Sequence, residues 1–167
     1  GTLLDTIDDL ANSVNFALKQ YNFPIHPIEA YRFMVGNGVN KLLERALPEE
    51  HRNADVVSMV KQEFIKHYFA HSDAFTKPYQ GVSKLLNKLQ SDGFQLAIAS
   101  NKVHVATAEL AKRFFPEIKF IKVLGQRDGF PTKPYPAILE EIIASAGVSK
   151  EKVLYVGDSG VDVATAM

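Results

Sequence analysis

The chain is 167 residues long, 46% hydrophobic and 23% charged, with 19 Lys plus Arg against 19 Asp plus Glu and no cysteine. That length and mix suit one compact α/β domain, or such a core with a modest insertion, and exclude disordered, coiled-coil and collagen-like chains. A formal net charge of zero provides no overall field to hold a polyanion, so nucleic acid is not an expected partner, and the lack of thiols excludes disulfides and thiolate sites and fits a reducing cytoplasm. No apolar run approaches the roughly 20 residues of a spanning helix, so no membrane segment is expected. The chain opens at Gly1 without methionine and ends at Met167 inside an expected helix, so both ends are expected to be cuts.

The first third carries helical spacing. Leu10, Val14, Ala17, Leu18 and Tyr21 share one face, and Val39, Leu42, Leu43, Ala46 and Leu47 repeat the pattern after Pro24 and Pro27. A third helix with Val57, Val60, Phe64 and Tyr68 in register follows Asn53, a natural cap, and Lys77-Pro78 ends it. No strand signal precedes that proline.

After Pro78 helix and strand patterns alternate. A helix with Val82, Leu85, Leu86 and Leu89 stops at Gly93, and the apolar run Gln95 to Ala99 follows as a strand. Next come a helix from Val105 to Arg113, a strand from Phe120 to Leu124, a helix from Pro136 to Ala146 closed by Gly147, and a strand from Val153 to Val156. This rhythm predicts a Rossmann-like parallel sheet with helices on both faces. The expected division is an α/β core over residues 1–5 and 79–167, with a helical insertion over 6–78 that leaves from the sheet edge where ligands bind.

Three polar clusters fall where strands end or begin. Ser100-Asn101-Lys102 follows the Gln95 to Ala99 strand, and a hydroxyl beside free N–H groups at a helix start suits a phosphate, although serine and asparagine are favoured there as N-caps in any case. Asp158 and Asp162 stand four apart after Val-Leu-Tyr-Val-Gly, where hard oxygens suit Mg²⁺ but also complement a helix N-terminus. Gly1-Thr2 opens the chain. Lys133 lies in Pro-Thr-Lys-Pro-Tyr-Pro, expected to be stiff and extended, where an ammonium could balance phosphoryl charge or simply be solvated. Two other patterns carry nothing: His67 and His71 lack the glutamate of a zinc-protease helix, and Gly36-Asn37-Gly38 follows helix, unlike a dinucleotide fingerprint.

Taken in order, Gly1-Thr2-Leu3-Leu4-Asp5-Thr6, Ser100-Asn101, Lys133-Pro134 and Gly157-Asp158-Ser159 with Asp162 resemble the four motifs of the haloacid dehalogenase-like hydrolases. The resemblance spans essentially the whole chain. It implies that Ser100 grips a phosphoryl group, Asn101 orients it, Lys133 balances charge at the nucleophile, Asp158 and Asp162 hold Mg²⁺, and residues 6–78 form a helical cap. Tyr31-Arg32, Val35-Gly36-Asn37-Gly38-Val39 and Asn101-Lys102 further resemble the phosphoglycolate phosphatase branch, which adds Thr2, Arg32, Gly36 and Lys102 as substrate-binding candidates. The implied activity is Mg²⁺-dependent hydrolysis of a small phosphorylated metabolite through an aspartyl-phosphate, by a monomer or homodimer. Alternatives are a β-phosphoglucomutase-like phosphosugar mutase, a dehalogenase, or a catalytically dead phosphate-binding module. The family's Asp-x-Asp pair, nucleophile and acid/base, would stand immediately ahead of Gly1, so these 167 residues by themselves are expected not to turn over substrate.

Overall fold

A computed structural model describes all 167 residues and separates them into two compact units, one of Leu4–Lys77 and one of Gly1–Leu3 with Pro78–Met167. In the first, β1 (Leu4–Asp5) leads into α1 (Ile7–Gln20), followed by α2 (Gly38–Ala46) and α3 (Ala54–His71); β2 (Lys77–Pro78), which begins on the last residue of this unit, pairs with β1. These two-residue strands escaped the sequence reading because so short a run shows no alternation. Helices α1 and α2 both pack on α3, and of the expected apolar stripes Val14, Ala17, Leu18, Leu42, Leu43, Ala46, Leu47, Val60, Phe64 and Tyr68 are buried, joined by Ala11, whereas Leu10, Tyr21, Val39 and Val57 are half-buried. The Asn53 side chain accepts the Val56 N–H at 3.0 Å and caps α3 as expected.

A short 3₁₀ turn at Ile28–Phe33 buries Tyr31, whose hydroxyl donates to Asn15 Oδ1 at 2.6 Å. The buried Asp9 carboxylate accepts the backbone N–H groups of Phe75 and Thr76, which ties the two ends of this unit together. No apolar pattern marked Asp9 in advance.

The second unit holds α4 (Val82–Ser91), β3 (Leu96–Val103), α5 (His104–Phe114), β4 (Phe120–Gln126), α6 (Ala137–Ala146) and α7 (Gly160–Ala166). Strands β3 and β4 run parallel, with α5 and α6 packed against them. Leu86, Ala106, Leu110, Ala111, Leu124 and Ile138 form the core, whereas Leu85, expected beside Leu86, is exposed.

The third expected strand does not join this sheet. Val153 is extended, at φ −109° and ψ 126°, but Leu154 and Val156 are 87% and 63% exposed and no ladder forms. Extended backbone becomes a strand only when a neighbour takes its N–H and C=O groups, and β3 pairs only with β4. No helix is long and apolar enough to cross a membrane.

Candidate active site

The end of β3 is irregular in a way that sets the first cluster. Ala99 stands opposite Leu124 and Val103 opposite Gln126, so three residues of β3, Ser100 to Lys102, face the single residue Gly125. Such a bulge bends the strand and re-aims its side chains. Only glycine fits opposite it, because a Cβ on residue 125 would sit 2.5 Å from the Lys102 carbonyl and 2.6 Å from both His104 Cα and Thr107 Oγ1. Ser100 is therefore not at a helix start as expected: the strand continues to Val103, which precedes α5. The Ser100 oxygen accepts the Lys102 N–H at 3.1 Å, which leaves its own O–H to donate elsewhere.

Asn101 is buried and clamps the main chain of Lys133 from both sides. Its Nδ2 donates to the Lys133 carbonyl at 3.0 Å, and its Oδ1 accepts the Lys133 N–H at 2.8 Å. This amide holds the lysine loop in place. The loop itself is a turn, not the extended run expected, since Tyr135 N–H donates to the Thr132 carbonyl at 3.0 Å. Pro136 lies just ahead of the first residue of α6. The Lys133–Pro134 peptide is cis.

The Lys133 ammonium makes three hydrogen bonds: to Asp162 Oδ1 at 2.7 Å, to the Tyr155 hydroxyl at 2.9 Å and to the Ala99 carbonyl at 3.2 Å. Its side chain and that of Asp162 are 10% and 9% exposed. A charge pair so far out of water is tolerated only where its remaining polar atoms are also bonded, and here they are. Asp162 Oδ1 takes a second donor, the Tyr155 hydroxyl at 2.7 Å. Oδ2 accepts the N–H groups of Asp158 and Ser159 at 3.2 and 3.1 Å and the Ser159 hydroxyl at 2.6 Å. Ser159 and Asp162 thereby form a capping box at the start of α7.

Burial alone would raise the Asp162 pKa, but the hydrogen bonds from Lys133, Ser159 and Tyr155 outweigh it and hold this carboxyl well below the ordinary range. Burial first, and the bond to Asp162 second, push the Tyr155 hydroxyl up. Tyr155 was read in the sequence only as one apolar residue of a strand; its spacing seven ahead of Asp162 gave no signal.

Asp158 is exposed, and its Oδ1 accepts the Thr2 hydroxyl at 2.6 Å. Thr2, Ser100, Asn101, Lys133, Tyr155, Asp158 and Asp162 are thus linked within one unit, although they come from four separate stretches of sequence. Lys102, half-buried, lies in the same bulge. Arg32 and Gly36 belong to the helical unit, where both are exposed. The nearby loop is held by Arg45, which donates to the Met34 carbonyl and Asn37 Oδ1 at 2.8 and 2.9 Å.

Residues 1–167 match the family profile of haloacid dehalogenase-like hydrolases from end to end. The chain belongs to the haloacid dehalogenase-like hydrolases. It is 35% identical over 173 residues to a phosphoglycolate phosphatase of Cereibacter sphaeroides, covering 99% of this chain and 76% of that protein. It is 32% identical over 168 residues to the phosphoglycolate phosphatase of Mesorhizobium japonicum, covering 99% and 74%. Among solved structures, one from Lactobacillus delbrueckii subsp. bulgaricus superposes with a TM-score of 0.92 at 29% identity, over 99% of this chain and 78% of the other. A predicted phosphoglycolate phosphatase of Haemophilus somnus gives 0.89 at 27% identity, over 99% and 76%. This places the chain among the phosphatases of the haloacid dehalogenase-like family, in the phosphoglycolate phosphatase-like branch.

The fit of these residues to a magnesium ion is partial. Mg²⁺ takes six hard oxygens, and no group of three or more His, Cys, Asp or Glu side chains converges anywhere in the chain. Asp158 is of the right kind and exposed, with one oxygen on Thr2. Asp162, expected beside it as a ligand, has both oxygens already engaged by five donors.

Proposed function

We propose that this chain carries the phosphate-binding and charge-balancing part of a magnesium-dependent phosphomonoesterase that acts on small phosphorylated metabolites, with phosphoglycolate the favoured substrate. The observation that carries the reading is the buried Lys133 ammonium, bonded to the Ala99 carbonyl directly beside Ser100 and tied through Asp162 to Asp158.

The residues act as follows. The Ser100 O–H donates to a phosphoryl oxygen. All three N–H bonds of Lys133 are engaged, so it acts as a fixed positive charge that offsets the negative charge gathered during phosphoryl transfer. Asn101 keeps that charge in place by holding the lysine main chain. Thr2 orients Asp158, the carboxylate offered to Mg²⁺, which when bound would neutralise phosphate charge. Lys102, at the bulge, is a candidate for the substrate.

In the family scheme a carboxylate oxygen attacks phosphorus, the ester P–O bond breaks and the leaving alkoxide takes a proton from an acid. Water then cleaves the acyl phosphate to give inorganic phosphate and restore the carboxylate. The Asp-x-Asp pair that would supply nucleophile and acid is not among these 167 residues. Residues 6–78 would serve as the family's helical cap and residues 1–5 and 79–167 as its core, with Arg32 and Gly36 as candidates for binding the substrate's carboxylate.

The test compares the 167-residue chain with the same chain preceded by a strand ending in Asp-x-Asp, assaying phosphate release from phosphoglycolate and other phosphomonoesters with magnesium. Turnover by the longer protein alone is expected. Absence of released phosphate on every substrate would refute the phosphatase reading, and an isomerised sugar phosphate in its place would mark a mutase.

A further inference from the structure

We propose that Tyr155 is a positioning residue that, with Asp162, fixes the Lys133 ammonium, and that Asp162 serves this purpose and not metal binding. The inference rests on the reading of Lys133 as the charge that faces the phosphoryl group.

The geometry is a closed triangle. Lys133 Nζ, the Tyr155 oxygen and Asp162 Oδ1 lie 2.7 to 2.9 Å from one another, each pair joined by a hydrogen bond. The Tyr155 hydroxyl donates to the carboxylate and accepts from the ammonium, so it fills both of its capacities and fixes the direction in which the lysine points. Its ring lies 5.7 Å from Nζ, at the outer edge of cation–π range, so the hydroxyl is the main connection.

Asp162 has about four lone-pair directions and five donors aimed at them. A metal ion could enter only by displacing Lys133 and Tyr155 from one oxygen, or the α7 cap from the other. Displacement of Lys133 would leave an ammonium buried without its counter-charge, which is strongly unfavourable. Gly157 permits the arrangement: a Cβ there would overlap Asp162 Cβ and Cγ, so only a residue without one leaves the carboxylate its place.

The experiment reads the reactivity of Lys133 itself. Competitive acetylation of the 167-residue chain, resolved lysine by lysine by mass spectrometry, is compared between parent, Tyr155→Phe and Asp162→Asn, with Lys41 and Lys66 of the helical unit as internal standards. Lys133 is expected to react roughly tenfold faster in Tyr155→Phe, the equivalent of one lost charge-assisted hydrogen bond, and at least as much faster in Asp162→Asn, while the standards keep their rates. Magnesium in excess is expected to leave Lys133 reactivity in the parent unchanged. An unaltered Lys133 rate in Tyr155→Phe would overturn the positioning role. A saturable rise of Lys133 reactivity with magnesium would show the metal taking Asp162 from the lysine, and would overturn the second half of the proposal. Protection of Lys133 by inorganic phosphate in the parent separately tests the phosphate reading, so failure of that reading is distinguishable from failure of the Tyr155 role.

Discussion

Gly157→Ala introduces one methyl group at the tightest point of the site. The backbone at residue 157 lies outside the left-handed region, so alanine adopts it freely and the effect is one of space. The new Cβ would overlap Asp162 Cβ and Cγ and lie 2.8 Å from Oδ2. Asp162 is 7% exposed and anchored through both oxygens, so it cannot turn aside without breaking its bonds to Ser159 or Lys133. Overpacking alone costs about 1–3 kcal/mol. Separation of a buried ion pair costs about 3–5 kcal/mol. A loss of about 3–5 kcal/mol is therefore expected, a large fraction of the ~5–15 kcal/mol that holds a typical domain together. The assay is urea denaturation followed by circular dichroism, with Gly160→Ala as the partner variant. Nothing lies within 4 Å of a Cβ at residue 160, in the first turn of α7, so that change is expected to be neutral or to stabilise by up to about 1 kcal/mol. Equal stabilities for Gly157→Ala and the parent would refute the packing described around Asp162.

Gly125→Ala drives a Cβ against the Lys102 carbonyl and His104 Cα, and is expected to cost about 2–4 kcal/mol and to weaken phosphate binding by distorting the Ser100–Lys102 bulge, checked by the same denaturation and by calorimetry. Ser100→Ala removes both the O–H that is free to donate and the oxygen that accepts the Lys102 N–H, so phosphate affinity is expected to fall about tenfold and stability by about 1 kcal/mol. The lowered pKa of Asp162 means that its carboxylate stabilises the fold above the usual unfolded range near about 4 and that this contribution is lost as pH falls through the lower folded value. The acid limb of a stability–pH curve is therefore expected to flatten in Asp162→Asn, by up to about 1.4 kcal/mol per pH unit.

The helices and the parallel pair β3–β4 were legible because their apolar residues recur at 3.6-residue spacing or cluster in short runs such as Leu96 to Ala99 and Phe120 to Leu124. Val153 to Val156 carried an equally clear strand signal, yet pairing depends on a neighbouring strand and not on the segment's own residues. At the site, order and spacing pointed to Ser100, Lys133 and Asp158, which the fold does bring together. What the sequence could not convey was the direction of individual bonds. Asn101 reaches the Lys133 backbone because a bulge turns it there. Asp162 faces a lysine 29 positions away, and Tyr155 joins them only because Gly157 leaves room for the carboxylate to fold back.

The most direct measurement is a titration of the chain with inorganic phosphate followed by amide nuclear magnetic resonance. Saturable shifts concentrated at Ser100 to Lys102, Lys133 and Asp158 to Ser159 are expected, from segments far apart in sequence that move together with one affinity. Shifts scattered over exposed lysines such as Lys66 and Lys119, or confined to one of those segments, would contradict a single phosphate cradle built from all of them.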